Sequence, residues 1–122
     1  MIFAGTILQV CDNSGVKFAK CLKVLSNKPK NAGKIGNFII VNIQSVKAFS
    51  KIRRKEIHKG IIVRLKFRLK RLDGSYIYFM KNSIVLLNNK SLPIGTRIFG
   101  PLCKELRIKK NLKLISLCSK LI

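Results

Sequence analysis

The chain has 122 residues; 26 are Lys or Arg and only four, Asp12, Glu56, Asp73 and Glu105, are acids, leaving a formal charge of +22. That length suits one domain, 1–122, and an apolar fraction of 48%, led by 17 Ile and 7 Val, supplies a core better matched to strands than to helices. The purest apolar runs, Phe38–Val41 and Ile84–Leu87, have four residues each against the roughly 20 of a membrane span, and the bases are spread along the chain instead of along one helix face, which excludes a membrane helix or an interfacial anchor.

A surface so short of acids repels itself, and the expected remedy is a polyanionic partner, with nucleic acid the first candidate. Met1–Thr6 runs directly into a strand-like segment with neither an apolar signal core nor an Arg- and Ser-rich presequence, so the protein is expected to work where it is made or to have lost its presequence. Cys11, Cys21, Cys103 and Cys118 include no C-x-x-C pair and read as small buried hydrophobes in a reducing compartment. Lys, Ile and Asn make up 45 of the 122 residues, the bias of an AT-rich coding sequence and so of an organellar or AT-biased bacterial genome.

In chain order, Thr6–Val10 predicts a first strand, ended by the turn cluster Asp12-Asn13-Ser14-Gly15. In Val16–Val24 the apolar parity shifts from Val16 and Phe18 to Leu22 and Val24, which predicts a bulged second strand. Ser26–Gly36 is an exposed basic loop holding Lys28, Lys30 and Lys34, and Phe38–Val46 is the third strand. Lys47–Lys59, with Lys47, Lys51, Arg53, Arg54, Lys55 and Lys59 against one acid, predicts a connection facing solvent or RNA.

From Ile61 to Leu72, apolar residues alternate with Arg64, Lys66, Arg68 and Lys70, which in a continuous strand places the four bases on one face, about 6.7 Å apart. Asp73-Gly74 predicts a two-residue hairpin, with Ser75–Met80 as the return strand. The tip of this pair is expected to project as a basic ribbon carrying Arg68, Lys70, Arg71, Tyr76 and Tyr78; the tyrosines either stack on bases, cover a partner or sit at a barrel rim. Ser83–Leu87 is the last barrel strand. Beyond it, Pro93, Gly95, Gly100 and Pro101 break regular structure, Cys103–Ile108 forms short helical turns and Leu112–Leu117 closes the domain. Phe99 is assigned to the core and Arg97 to the surface. Many strands joined by short turns predict an all-β fold closed into a small barrel, which removes exposed edges.

These residues resemble the universal L-fourteen proteins of the large ribosomal subunit. The resemblance rests on Asp12-Asn13-Ser14-Gly15; on Gly60-Ile61-Ile62-Val63 followed by Asp73-Gly74, Phe79, Asn82 and Val85-Leu86; on Leu86-Leu87-Asn88-Asn89; and on the run Pro93–Pro101 with Glu105-Leu106-Arg107. It implies a five-stranded barrel with a projecting ribbon and a short C-terminal helical region over about 93–122. It also implies binding to large-subunit rRNA, a place at the face toward the small subunit where its rRNA forms a bridge, and neighbours of the L-nineteen and L-three families. Thr96-Arg97 matches the surface where a ribosomal silencing factor docks in relatives. Neither a membrane, a cofactor nor assembly with copies of itself is implied. The four cysteines, the Lys-rich 47–59 segment and Phe18 depart from the usual bacterial pattern, and with the Lys/Ile/Asn bias they favour a mitochondrial version over a plastid or bacterial one.

For an RNA scaffold the chemistry is electrostatic, with Lys and Arg displacing counterions from phosphates. The lone His58 has no metal-binding companion, the four acids are far apart in sequence, and no phosphate-cradling Gly-rich loop is present, so no enzyme is expected. Two other functions stay open on sequence alone: a single-strand-binding barrel, which would place several aromatics on one sheet face, and an RNA-modifying enzyme, which would need a nucleophile and a base.

Overall fold

The computed structural model describes residues 2–25, 32–108 and 112–122. Its strands are β1 (Ile7–Val10), β2 (Val16–Leu25), β3 (Phe38–Val46), β4 (Ile57–Arg64), β5 (Leu69–Lys70), β6 (Tyr76–Ile77) and β7 (Ser83–Leu87), followed by helices α1 (Glu105–Ile108) and α2 (Leu112–Leu117). The order β1-β2-β3-β4-β7 closes into a five-stranded barrel, with β1 parallel to β7 and every other neighbour antiparallel. β5 and β6 form a separate two-stranded sheet, the predicted ribbon.

Side-chain alternation explains closure. Leu8 and Val10 of β1 and Ile39, Val41 and Ile43 of β3 point inward with polar or half-buried residues between them. β2 breaks the alternation: Val16, Ala19 and Cys21 face the core, and register shifts lie between Val16 and Phe18, Phe18 and Ala19, and Cys21 and Lys23. These bulges bend the strand around the barrel and turn Lys17, Lys20 and Lys23 all outward. All of β7 is buried, hydrogen-bonded to β4 and β1 on its two edges. Each aliphatic side chain sealed in this core contributes about 1.5–3 kcal/mol relative to exposure.

Four expectations change. The alternating segment from Ile61 is not one strand: β4 ends at Arg64, only Leu69–Lys70 resumes pairing, and the return strand predicted over Ser75–Met80 is reduced to Tyr76–Ile77. Ile61, Ile62 and Val63 are all buried, because Ile62 packs under the Ile2–Gly33 bridge, and a bulge between Ile62 and Arg64 breaks the two-residue period. The connection at 47–59 is shorter than predicted, since β4 begins at Ile57. The ribbon turn spans three residues instead of two: Arg71 N–H donates to Ser75 O (2.9 Å), and Gly74 takes the left-handed conformation (φ 89°) that this longer turn requires. Finally, Phe99 is half-exposed and its neighbour Ile98 fills the core, because the Asp12–Ile98 bridge fixes which of the two points inward.

Candidate nucleic-acid interface

Among the described residues, the densest group of cations without a carboxylate partner lies between β3 and β4. Lys47, Lys51, Arg53, Arg54 and Lys55 are all exposed, and Ile52 is buried beneath them as the anchor of the loop. The backbone of this loop is hydrogen-bonded at both ends, Lys47 N–H to Gly15 O (2.7 Å) and Lys55 N–H to Ile43 O (2.8 Å). Arg54 Nε donates to Gln44 O (3.3 Å). Phe49 and Lys55 both hold left-handed backbone (φ 64° and 68°), and the Phe49 ring stands wholly in solvent. An aromatic held this way among bases is suited to stacking on a nucleobase.

Of the bases predicted on the alternating strand face and the ribbon, Lys66, Arg68 and Lys70 are exposed. The other two have protein partners. Arg64 is half-buried; its Nη2 donates to Phe99 O, and its guanidinium packs against Gly100. Arg71 forms an ion pair with Glu105 (Nε to Oε1, 2.8 Å) and donates to Ile122 O, tying the ribbon to the C-terminal region. Burial pulls the Glu105 carboxyl up, but hydrogen bonds from Cys103, its own backbone and Arg71 outweigh this and hold it below the usual range. Tyr76 and Tyr78 are exposed, Tyr76 directly across the ribbon from Lys70, and Phe67, Leu72 and Met80 are exposed as well. Lys34 is exposed, whereas Lys28 and Lys30 lie outside the described residues.

Thr96 and Arg97 are exposed and rigidly placed by the Asp12-Asn13 turn. Asn13 Oδ1 accepts from Thr96 N–H (2.8 Å) and Arg97 N–H (3.2 Å), while Asn13 Nδ2 donates to Thr96 Oγ1 (2.8 Å). Gly95 permits this approach, since a Cβ there would sit 2.6 Å from Asn13 Oδ1. Asp12 itself is only 4% exposed: Oδ1 accepts from Ser14 N–H (3.1 Å) and Ser14 Oγ–H, and Oδ2 from Leu86 N–H (3.2 Å). Burial raises its pKa, and the hydrogen bonds from Ser14 and Leu86 only partly oppose the rise.

The thiols fit a structural role. Cys11, Cys21 and Cys103 are buried, Cys118 is half-buried, and all four are free. Burial pushes the Cys11 thiol up to about 11, far from a reactive thiolate at neutral pH. His58 pairs with Glu56 (2.8 Å) at the start of β4. Among the described residues no His, Cys, Asp and Glu cluster is placed to hold a metal, and no helix is long and apolar enough to cross a membrane.

Residues 1–122, the entire chain, match the family described as Ribosomal protein L14p/L23e. The chain belongs to that family. It is accordingly a structural constituent of the large ribosomal subunit, and it acts in translation. Among the described residues, Arg71 is the only Lys or Arg within ion-pair distance of a carboxylate. Sequence reasoning missed Lys17, Lys20 and Lys23 as a shared exposed set; the parity shift in β2 was the signal that would have found them. It also read Asp12 and Asn13 only as turn formers, because their partners lie more than 70 residues away.

Proposed function

We propose that this ribosomal protein binds large-subunit rRNA mainly through the exposed loop cations Lys47, Lys51, Arg53, Arg54 and Lys55, with Lys34 and the ribbon bases Lys66, Arg68 and Lys70 as a second contact region. The observation that carries the reading is the rigid 47–55 loop, whose backbone is pinned while its bases have no carboxylate partner among the described residues. Helical RNA hides its base edges in a deep groove, so such a surface recognises backbone and 2′-hydroxyl geometry. The exposed Tyr76 and Tyr78 on the ribbon and the Asn13-clamped Thr96-Arg97 segment suit protein partners: neighbours of the L-nineteen and L-three families, and a silencing factor at Thr96-Arg97. In this reading the protein lies near the face toward the small subunit, within reach of its rRNA, as one copy per particle. The AT-type residue bias supports an organellar or AT-biased bacterial origin, and with the four cysteines, the Lys-rich 47–59 segment and Phe18 it favours a mitochondrial ribosome over a plastid or bacterial one.

Copurification tests the proposal. The native protein is expected to sediment with large ribosomal particles of mitochondria and to be released by high salt or RNase. Sedimentation as free protein at low salt, or retention after RNase and high salt together, would refute RNA as the partner that holds it.

A further inference from the structure

We infer that the groove between β1, β2 and the Phe99–Gly100 turn is a seat for an unpaired nucleotide of RNA, whose base lies against Phe18 and Phe99 and whose phosphates meet Lys17, Lys47 and Arg64. The inference rests on the rRNA reading above and adds to it a contact that reads a base as well as the backbone. The groove has a volume of about 470 Å³, and its lining includes these five residues and Gln9. Phe18 and Phe99 are 44% and 51% exposed although they sit in a concave wall, so an aromatic surface is left open where a π-face can stack. The bulges in β2 are what put Lys17 and Phe18 side by side on the outside of the barrel.

Charge selects the occupant. Among the described residues the only acid in the lining is Asp12, and both its oxygens are occupied by Ser14 and Leu86. Lys17, Lys47 and Arg64 have no carboxylate within ion-pair distance among the described residues, and Arg64 Nε is buried without a hydrogen-bond partner. A neutral or cationic ligand would leave this charge uncompensated. A second depression, lined by Gln9, Arg64, Phe79, Met80, Lys81 and Pro101, shares Gln9 and Arg64 with the first. The basic track therefore continues to Lys81, as a strand of more than one nucleotide requires. Gln9, at the junction, offers an amide able to donate to and accept from a base edge.

The test uses the full chain and intact large-subunit rRNA. Ultraviolet irradiation of the complex should leave a nucleotide adduct on a peptide containing Phe18 or Phe99, found by mass spectrometry. Replacing both Phe18 and Phe99 with Ala should weaken binding by about 5- to 100-fold, the range of a lost stacking contact, without changing the slope of affinity against salt. Phe18→Tyr with Phe99→Tyr should retain affinity. Both side chains are half in solvent, so unchanged thermal melting shows that the variants fold. If wild-type protein binds with steep salt dependence but the double Ala variant binds equally well and no adduct forms, the nucleotide seat is refuted while the rRNA reading stands. If wild-type protein does not bind the rRNA, both fall.

Discussion

Asp12→Ala is expected to destabilise the fold by about 3 kcal/mol, since it strips the partner from a buried backbone N–H at Leu86 and removes two further bonds that shape the Asp12–Gly15 turn. For a chain of this size that corresponds to a fall in Tm on the order of 10 °C. The pH dependence is the sharper part. Because burial raises the Asp12 pKa in the native state, the folded protein binds this proton more tightly than the unfolded chain does. Lowering pH through the native pKa toward the unfolded value therefore adds stability at this site, the reverse of an ordinary ion-paired carboxylate. Unfolding in urea across the acid range should show the gap between wild type and Asp12→Ala widening as pH falls, then levelling off below about pH 4. A gap that narrows in acid would mean that Asp12 acts as a conventional stabilising anion.

Arg71→Ser is the second large effect, and it separates structural bases from those free to meet RNA. Arg71 and Glu105 side chains are 22% and 25% exposed, and the guanidinium also holds the carbonyl of Ile122. Removing it should cost roughly 1.5–3 kcal/mol, the range for hydrogen bonds to charged groups, and free the ribbon from the C-terminal region. Arg68→Ser with Lys70→Ser, by contrast, removes two exposed charges, leaves Tm unchanged and reduces the salt slope of RNA binding by roughly one to two. The Glu105 carboxyl lies below its usual range, so the stability it contributes is present above the unfolded value and lost as pH falls through the folded one. The difference between wild type and Arg71→Ser should thus shrink in acid, opposite in sign to the Asp12 series. Thermal melts and hydrogen exchange at the C-terminal backbone measure both halves; an Arg71→Ser variant with unchanged melting would show that the ribbon does not depend on this tie.

Much of the barrel was legible because it is written in local patterns. Phe38–Val46 and Ser83–Leu87 match the predicted strands, and the parity shift between Phe18 and Leu22 marks the bulges that the structure places in β2. The segment after Ile61 misled for a physical reason: period-two alternation says how side chains would face in a strand, not whether a neighbouring strand is there to pair with. Past Arg64 the chain leaves the barrel, and Lys66 N–H is capped by the Asn82 side chain (2.8 Å) instead of by a strand. The basic segments were equally visible, but which bases also have partners within the protein was not. Arg71 meets an acid 34 residues away, and Arg64 meets a carbonyl 35 residues away. No local signal carries such pairings. The same distance hid the clamp that Asn13 places on Thr96 and Arg97, and the groove that Phe18 and Phe99 both line.

If RNA phosphates neutralise the +22 surplus, as proposed, the affinity of the full chain for large-subunit rRNA as a function of salt measures it most directly. The logarithm of the binding constant should fall steeply and linearly with the logarithm of salt concentration. Replacing Lys51, Arg53, Arg54 and Lys55 with Ser should reduce the magnitude of that slope by roughly three, each phosphate contact being worth about 0.7–0.9. A shallow slope in the wild type, or one that this fourfold replacement leaves unchanged, would contradict the account.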